Sequence, residues 1–239
     1  FDAAFGLGRQ MVTAVKETKD TLDAAERAKK PAEEIKKLEQ DLSGQLKEAA
    51  EMLDRALRLV SKADDKKSVT LARFNYAYVN ILMKRYYEAA ILGEYVAKTV
   101  DQDDTTLGLD AAYLAMVAYI QAFNANKAPP GAERDADIRL IVHAANLIAS
   151  RWPQSDRAND ARMTLGRLYS QTKRPVEAAE WYAKVPESDP KYAEAQLASG
   201  QAYWTAYLSL SRAPEAERPT AQQLADWQKL AQSQLRGGI

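Results

Sequence analysis

Two stretches of the chain are near-copies. "HAANLIASRWPQSD" (residues 143–156) and "EAAEWYAKVPESDP" (177–190) both run x-Ala-Ala-x3-Ala into a Pro and then Ser-Asp. The correspondence extends beyond the phrase. Ala161, Gly166 and Tyr169 recur 34 residues later as Ala195, Gly200 and Tyr203, and Ala144-Ala145 recur as Ala178-Ala179, with a one-residue slip between Pro153 and Pro186. A unit of this length cannot bury an apolar face alone, so copies must stack on one another. That requirement constrains the fold more tightly than composition does.

Composition agrees with helices as the stacked elements. Ala, Leu, Glu, Lys, Arg and Gln dominate, all good helix formers, and no stretch alternates as a strand would. The fold class expected is all-α. Of the 239 residues, 46% are apolar, enough for a sizeable core. Lys+Arg and Asp+Glu both total 33, so the basic excess expected of a general nucleic-acid or anionic-membrane surface is absent. With no cysteine there is no disulfide, thiolate nucleophile or Cys-based zinc site. No run approaches the roughly 18 consecutive apolar residues of a membrane span. No signal peptide is visible, and the chain opens on Phe1-Asp2 rather than Met, as removal of a leader or a preceding domain would leave it.

Helical stripes place the elements. Met11, Val15, Thr18, Leu22 and Ala25 step by fours and threes. Pro31 suits the first turn of a second helix, along which Ile35, Leu38, Leu42, Ala49, Leu53, Ala56 and Val60 continue, with a weak step near Gln45-Leu46. Residues 1–64 therefore read as a long antiparallel hairpin, packed on the rest of the chain in preference to forming a coiled-coil dimer arm. Residues 65–239 read as helical repeats, best matched over 143–203. Helices are expected at about 68–83, 85–99, 105–125, 135–151, 156–172, 174–185, 189–210 and 220–235. The strongest break is Pro129-Pro130-Gly131. Thr220 with Gln223 fits a capping box, and Asp189-Pro190 fits an N-cap followed by proline.

Residues 159–192 resemble a tetratricopeptide repeat (TPR). Leu165-Gly166-x2-Tyr169 fills the first-helix signature, Ala178-x3-Tyr182 the second-helix one and Pro190 the terminal proline, while Arg162 replaces the usual Trp. The repeat starting near Ala193 keeps Gly200 and Tyr203, but Ser199 replaces Leu and "SRAPEAERPT" displaces the second-helix signature. The resemblance implies a right-handed helical-repeat solenoid. In it Gly166 and Ala178 let helices approach, and Tyr169 and Tyr182 fill the space between pairs. The x-Pro-x-Ser-Asp phrase is also similar to bacterial cell-envelope repeat proteins, which implies a periplasmic or envelope location.

The chemical candidates are weak. His143 is the only histidine, so two-histidine metal motifs are impossible, and its repeat counterpart is Glu177, a surface position. "DQDDTTLGLD" (101–110) puts Thr105, Thr106 and Ala112 where a calcium loop needs an oxygen ligand, Gly and Glu. It reads instead as an acidic helix start. "GLG" at 6–8 lacks the third glycine of a nucleotide fingerprint. No catalytic motif, cofactor or metal site is identified, and no enzyme is expected.

Aromatic residues are the more telling group. Trp181 and Trp204 fall outside the repeat's core positions, and packing against a neighbouring helix is the competing explanation for both. The resemblance places Phe74, Tyr78, Arg167, Gln171, Gln201 and Trp204 on first-helix faces that line a concave groove. Aromatic and Arg side chains there suit a protein or peptide partner. The TPR carboxylate clamp is not matched, because Met163 and Arg167 hold two of its positions. The function expected is non-catalytic protein–protein interaction or scaffolding through that groove. The alternative is a structural module that assembles through the N-terminal hairpin, as a homo-dimer for example.

Overall fold

The apolar stripes of residues 1–64 are buried within the chain. In the computed structural model, α1 (Asp2–Arg27) and α2 (Ala32–Arg58) fold back on each other. Val12, Val15 and Leu22 of α1 meet Leu42, Leu46, Ala49, Leu53 and Ala56 of α2 in one cluster. Leu46 fills the weak step in the α2 stripe. The hairpin does not end its own core: Ala72 and Val79 of α3 (Lys66–Leu82) join the same cluster. Pro31 stands at the N-cap of α2, one residue before the first-turn position expected from the sequence.

The structure describes residues 1–100, 105–127 and 131–238. Asp101, Asp103 and Asp104 of the acidic stretch, and Pro129-Pro130 of the expected break, lie outside the described residues. After α3 come α4 (Tyr86–Thr99), α5 (Thr105–Ala125), α6 (Ala132–Arg151), α7 (Asp156–Gln171), α8 (Pro175–Tyr182), α9 (Tyr192–Leu210) and α10 (Ala221–Gly237), with no strand among the described residues. The fold is all-α, with helices packed against their neighbours in the chain as hairpins. It divides into two compact units, Phe1–Ala144 and Ala145–Ile239.

Glycine sets the closest helix approaches. In the first unit, a Cβ on Gly93 of α4 would lie 2.8 Å from the Ala111 carbonyl and 3.1 Å from Ala115 Cβ of α5. In the second, a Cβ on Gly166 of α7 would lie 2.5 Å from Tyr182 Cε1 of α8. On Gly200 of α9 it would lie 2.7 Å from Leu235 Cγ and 3.1 Å from the Ala231 carbonyl of α10. The partners of Gly93 and Gly200 are thus Ala-x3-X pairs, Ala111/Ala115 and Ala231/Leu235, while Gly166 meets the Tyr182 ring. The second-helix role that "SRAPEAERPT" displaces is taken by α10, after a loop containing one 3-10 turn at Glu215–Glu217. Thr220 and Gln223 form the expected capping box at its start.

Three hairpin turns share one backbone solution. Lys29, Lys84 and Lys173 have φ of 50°, 62° and 59°. In each, the next N–H reaches back five residues, Lys30 to the Ala25 carbonyl, Arg85 to Asn80 and Arg174 to Tyr169, at 2.9–3.0 Å. This is the six-to-one bond of a Schellman C-cap, with Lys where Gly is usual. Chain reversal therefore takes only a few residues, and the second helix starts at once with Ala32, Tyr86 or Pro175.

α5 is long and apolar enough, by length and composition over Thr106–Ala125, to cross a membrane. In this fold its apolarity has another use. Ala111, Ala112, Ala115, Met116 and Ala118 are all buried where α5 packs on α4 and α3 within the first unit.

Two glycine substitutions should have opposite signs. Gly44 lies in the exposed interior of α2, where an added Cβ would meet nothing within 4 Å, so Gly44→Ala should stabilise by about 0.5–1 kcal/mol through backbone entropy. Gly166→Ala should destabilise by about 1–3 kcal/mol because the Tyr182 ring must move. Urea unfolding followed by circular dichroism reads both. By the same method, Lys173→Gly should stabilise by about 1 kcal/mol, since glycine adopts the left-handed conformation without a Cβ clash.

Candidate partner-binding face

The repeated phrase builds the frame of the second unit. Ser155 caps α7 by accepting the Ala158 N–H at 3.1 Å. Arg162, at the position of the usual Trp, donates to the Pro153 carbonyl at 3.3 Å and to the Asn159 side chain. Burial pulls the Arg162 pKa down, and the nearby Asp189 charge opposes that effect. Asn159 is itself buried and donates to Asp189 Oδ2 at 2.6 Å. Asp189 is not the N-cap of α9. Its other oxygen accepts the Lys191 N–H at 2.8 Å, and the helix begins only at Tyr192. The carboxylate is held by Asn159 and by its own turn, so it closes the loop between α8 and α9 instead of capping a helix. Ser199, where the repeat has Leu, is fully buried and donates to the Ala179 carbonyl at 3.0 Å.

With these contacts made, α7 and α9 present adjoining outer faces. Asp160, Thr164, Arg167 and Gln171 step by four, three and four along α7, as do Leu197, Gln201, Trp204 and Leu208 along α9. Each set forms one stripe on its helix. The stripes are tied by two ion pairs, Lys191–Asp160 and Arg167–Glu194, the latter at 3.2 Å. The hydrogen bond that Lys191 donates to the Asp160 carboxylate raises the Lys191 pKa. Beyond the ion pairs the α9 stripe is apolar and open: Leu197 is 39% exposed, Trp204 39% and Leu208 38%. Trp204 stacks on Tyr207 at 5.3 Å between centroids, which holds its indole in one orientation while leaving it accessible.

Four of the six residues singled out in the sequence thus sit on this face: Arg167 and Gln171 on α7, Gln201 and Trp204 on α9, all exposed. Phe74 and Tyr78 belong to α3 in the first unit and are half-buried. Tyr78 packs against the hairpin core, with Lys16 Nζ of α1 5.2 Å from its ring centre. Burial raises its phenol pKa, and the Asp20 and Asp23 charges add to the rise. Leu197, Leu208 and Glu194 join the face although the sequence did not single them out. Their signal was the same helical step that links Gln201 to Trp204, hidden because α9 carries apolar residues on every side.

Trp181 is buried in α8, with Lys184 Nζ 3.7 Å from its ring centre. His143 is exposed in the first unit, its Nε2 3.3 Å from Lys98 Nζ and 3.7 Å from Glu94 Oε2. It therefore ties α6 to α4 on the surface. Among the described residues no three His, Asp or Glu side chains come together as a metal site.

No protein-family model and no curated protein matches the sequence. Among solved structures the chain is similar to the crystal structure of YrrB, described as "a TPR protein with an unusual peptide-binding site". The two share 21% identity and superpose with a TM-score of 0.44, over 88% of this chain and 95% of that one.

The stripe residues carry little of the fold. Trp204→Ala and Arg167→Glu should each shift unfolding stability by no more than about 1 kcal/mol, since an exposed ion pair contributes about 0–1 kcal/mol. Thermal melts with unchanged helicity would show this. A loss comparable to that expected of Gly166→Ala would mean the face is packed, not open.

Proposed function

We propose that the chain is a non-catalytic protein-interaction module that binds a peptide segment of a partner along the α7–α9 face. The observation that carries this reading is the half-open apolar stripe Leu197, Trp204 and Leu208 beside the Arg167–Glu194 pair. An accessible Trp held by stacking, flanked by Leu and by a charged rim, has the composition of an interaction hot spot. Gln171 and Gln201 offer amide donors and acceptors to a peptide backbone laid between the stripes. Arg167 supplies a cation on the α7 side for an acidic residue of the ligand.

Assembly through the N-terminal hairpin has no comparable support. The stripe that would form a dimer seam is already buried between α1, α2 and α3, and Leu7 and Leu59 are the large apolar residues the hairpin leaves exposed.

Panning a displayed peptide library on the purified chain tests the proposal. Enriched peptides should quench or shift Trp fluorescence, and the double variant Trp204→Ala/Arg167→Glu should weaken them by about 30-fold or more, because truncating an interface Trp typically costs about 2 kcal/mol or more. Equal binding by a double variant with native helicity would overturn it.

A further inference from the structure

The first unit contains a separate cavity of about 400 Å³ where the end of α2, the start of α3 and the end of α4 meet. Its size lies within the roughly 300–1,000 Å³ of small-molecule sites. The charge around it is one-sided. Among the described residues, Lys62, Lys66, Lys67 and Arg73 line it with one carboxylate, Asp64. Asp64 is already engaged: its side chain accepts the Ser61 N–H at 2.5 Å, and that bond holds its carboxyl below the usual range. Asp65, next to the cavity, accepts the Ser68 N–H at 2.8 Å, and it also feels the Lys67 charge. Among the described residues none of Lys62, Lys66 and Lys67 forms an ion pair within 4.0 Å. Arg73 is positioned, its guanidinium lying 4.8 Å from the ring centre of Tyr95. The remaining walls are mixed: Val60, Val69 and Val100 are apolar, and Ser61, Thr70 and Thr99 bring hydroxyl groups that can donate to an oxyanion.

We infer that this cavity binds a small organic dianion, an oxyanion group attached to a compact apolar body. Lysines act as mobile point charges toward phosphate or carboxylate, and an Arg fork held on an aromatic ring adds directional donors. The three valines and the Tyr95 ring account for an apolar body, which an inorganic ion would leave unsatisfied. The four cations outnumber the carboxylates described beside them, and a bound dianion would offset their mutual repulsion. This site is independent of the α7–α9 face, so either can fail without the other.

Phenyl phosphate is the probe, with phthalate as a dicarboxylate of similar size and inorganic phosphate as the ion without a body. Titrations of the full chain at physiological salt are followed by amide NMR shifts. Saturable shifts centred on Val69, Thr70 and Val100 are expected with phenyl phosphate or phthalate. The preference between these two tells phosphomonoester from dicarboxylate, and inorganic phosphate should bind more weakly. Lys66→Glu/Lys67→Glu should weaken binding by about tenfold or more. Lys36→Glu/Lys37→Glu, the same charge change on the exposed face of α2, should leave it unchanged. Two results would overturn the assignment: no saturable shift up to about 10 mM, or an equal loss in both double variants, which would mark the attraction as general surface charge. Because Asp101, Asp103 and Asp104 follow Val100 in the chain, their combined Asn variant is titrated too. If only that variant binds, the cavity's cations serve the chain's own carboxylates, and the assignment is likewise overturned.

Discussion

The structure depends on helix pairs brought closer than side chains normally allow. At Gly93 and Gly200 a helix surface without a Cβ receives a pair of residues four apart on the following helix, and at Gly166 it receives the Tyr182 ring, with contacts that a methyl group would place at 2.5–2.8 Å. Close approach lets short helices bury a large part of their surface, which matters for α8 at only 8 residues. Dispersion contacts fall off steeply with distance, so a gap of even about half an ångström would forfeit much of that packing. The buried tyrosines Tyr169, Tyr182 and Tyr203 then fill what the small residues leave open.

The proposed binding face follows from this packing. Once α7 has buried Leu165, Gly166, Leu168 and Tyr169, and α9 has buried Ser199, Gly200, Ala202 and Tyr203, the residues left outside form two parallel stripes. The Lys191–Asp160 and Arg167–Glu194 pairs contribute little to stability; they bridge the two stripes at a spacing that the buried packing sets. The hairpin α1–α2 plays a different part. It closes the apolar side of α3, which is why Tyr78 lies under Lys16 and is covered where Trp204 is open.

Much of this was legible in the sequence because it is periodic. The 34-residue recurrence, the stripes of α1 and α2 and the Thr220–Gln223 cap all rest on local spacing that a helix converts directly into a face. What was hidden depends on tertiary context. The partner of Gly200 lies beyond a loop of irregular length, so Ala231 and Leu235 could not be aligned with Ala178 and Tyr182. Asp189 before Pro190 has the pattern of a helix cap, but Asn159 on another helix claims its carboxylate. A lysine in the left-handed region at Lys84 and Lys173 gives no sequence signal of the kind glycine would. Trp181 and Trp204 look alike as aromatic residues beside a core tyrosine, yet one is buried and the other open, a difference set by which helix flank each occupies.

The central functional claim is that ligands are held between the outer stripes of α7 and α9. A photo-crosslinking amino acid placed at Gln201, in the middle of the α9 stripe, tests it directly against the same probe at Glu180, exposed on α8. With a peptide selected on the unmodified chain, illumination should yield a covalent adduct at position 201 and none at 180. An adduct at 180 with none at 201 would contradict the account.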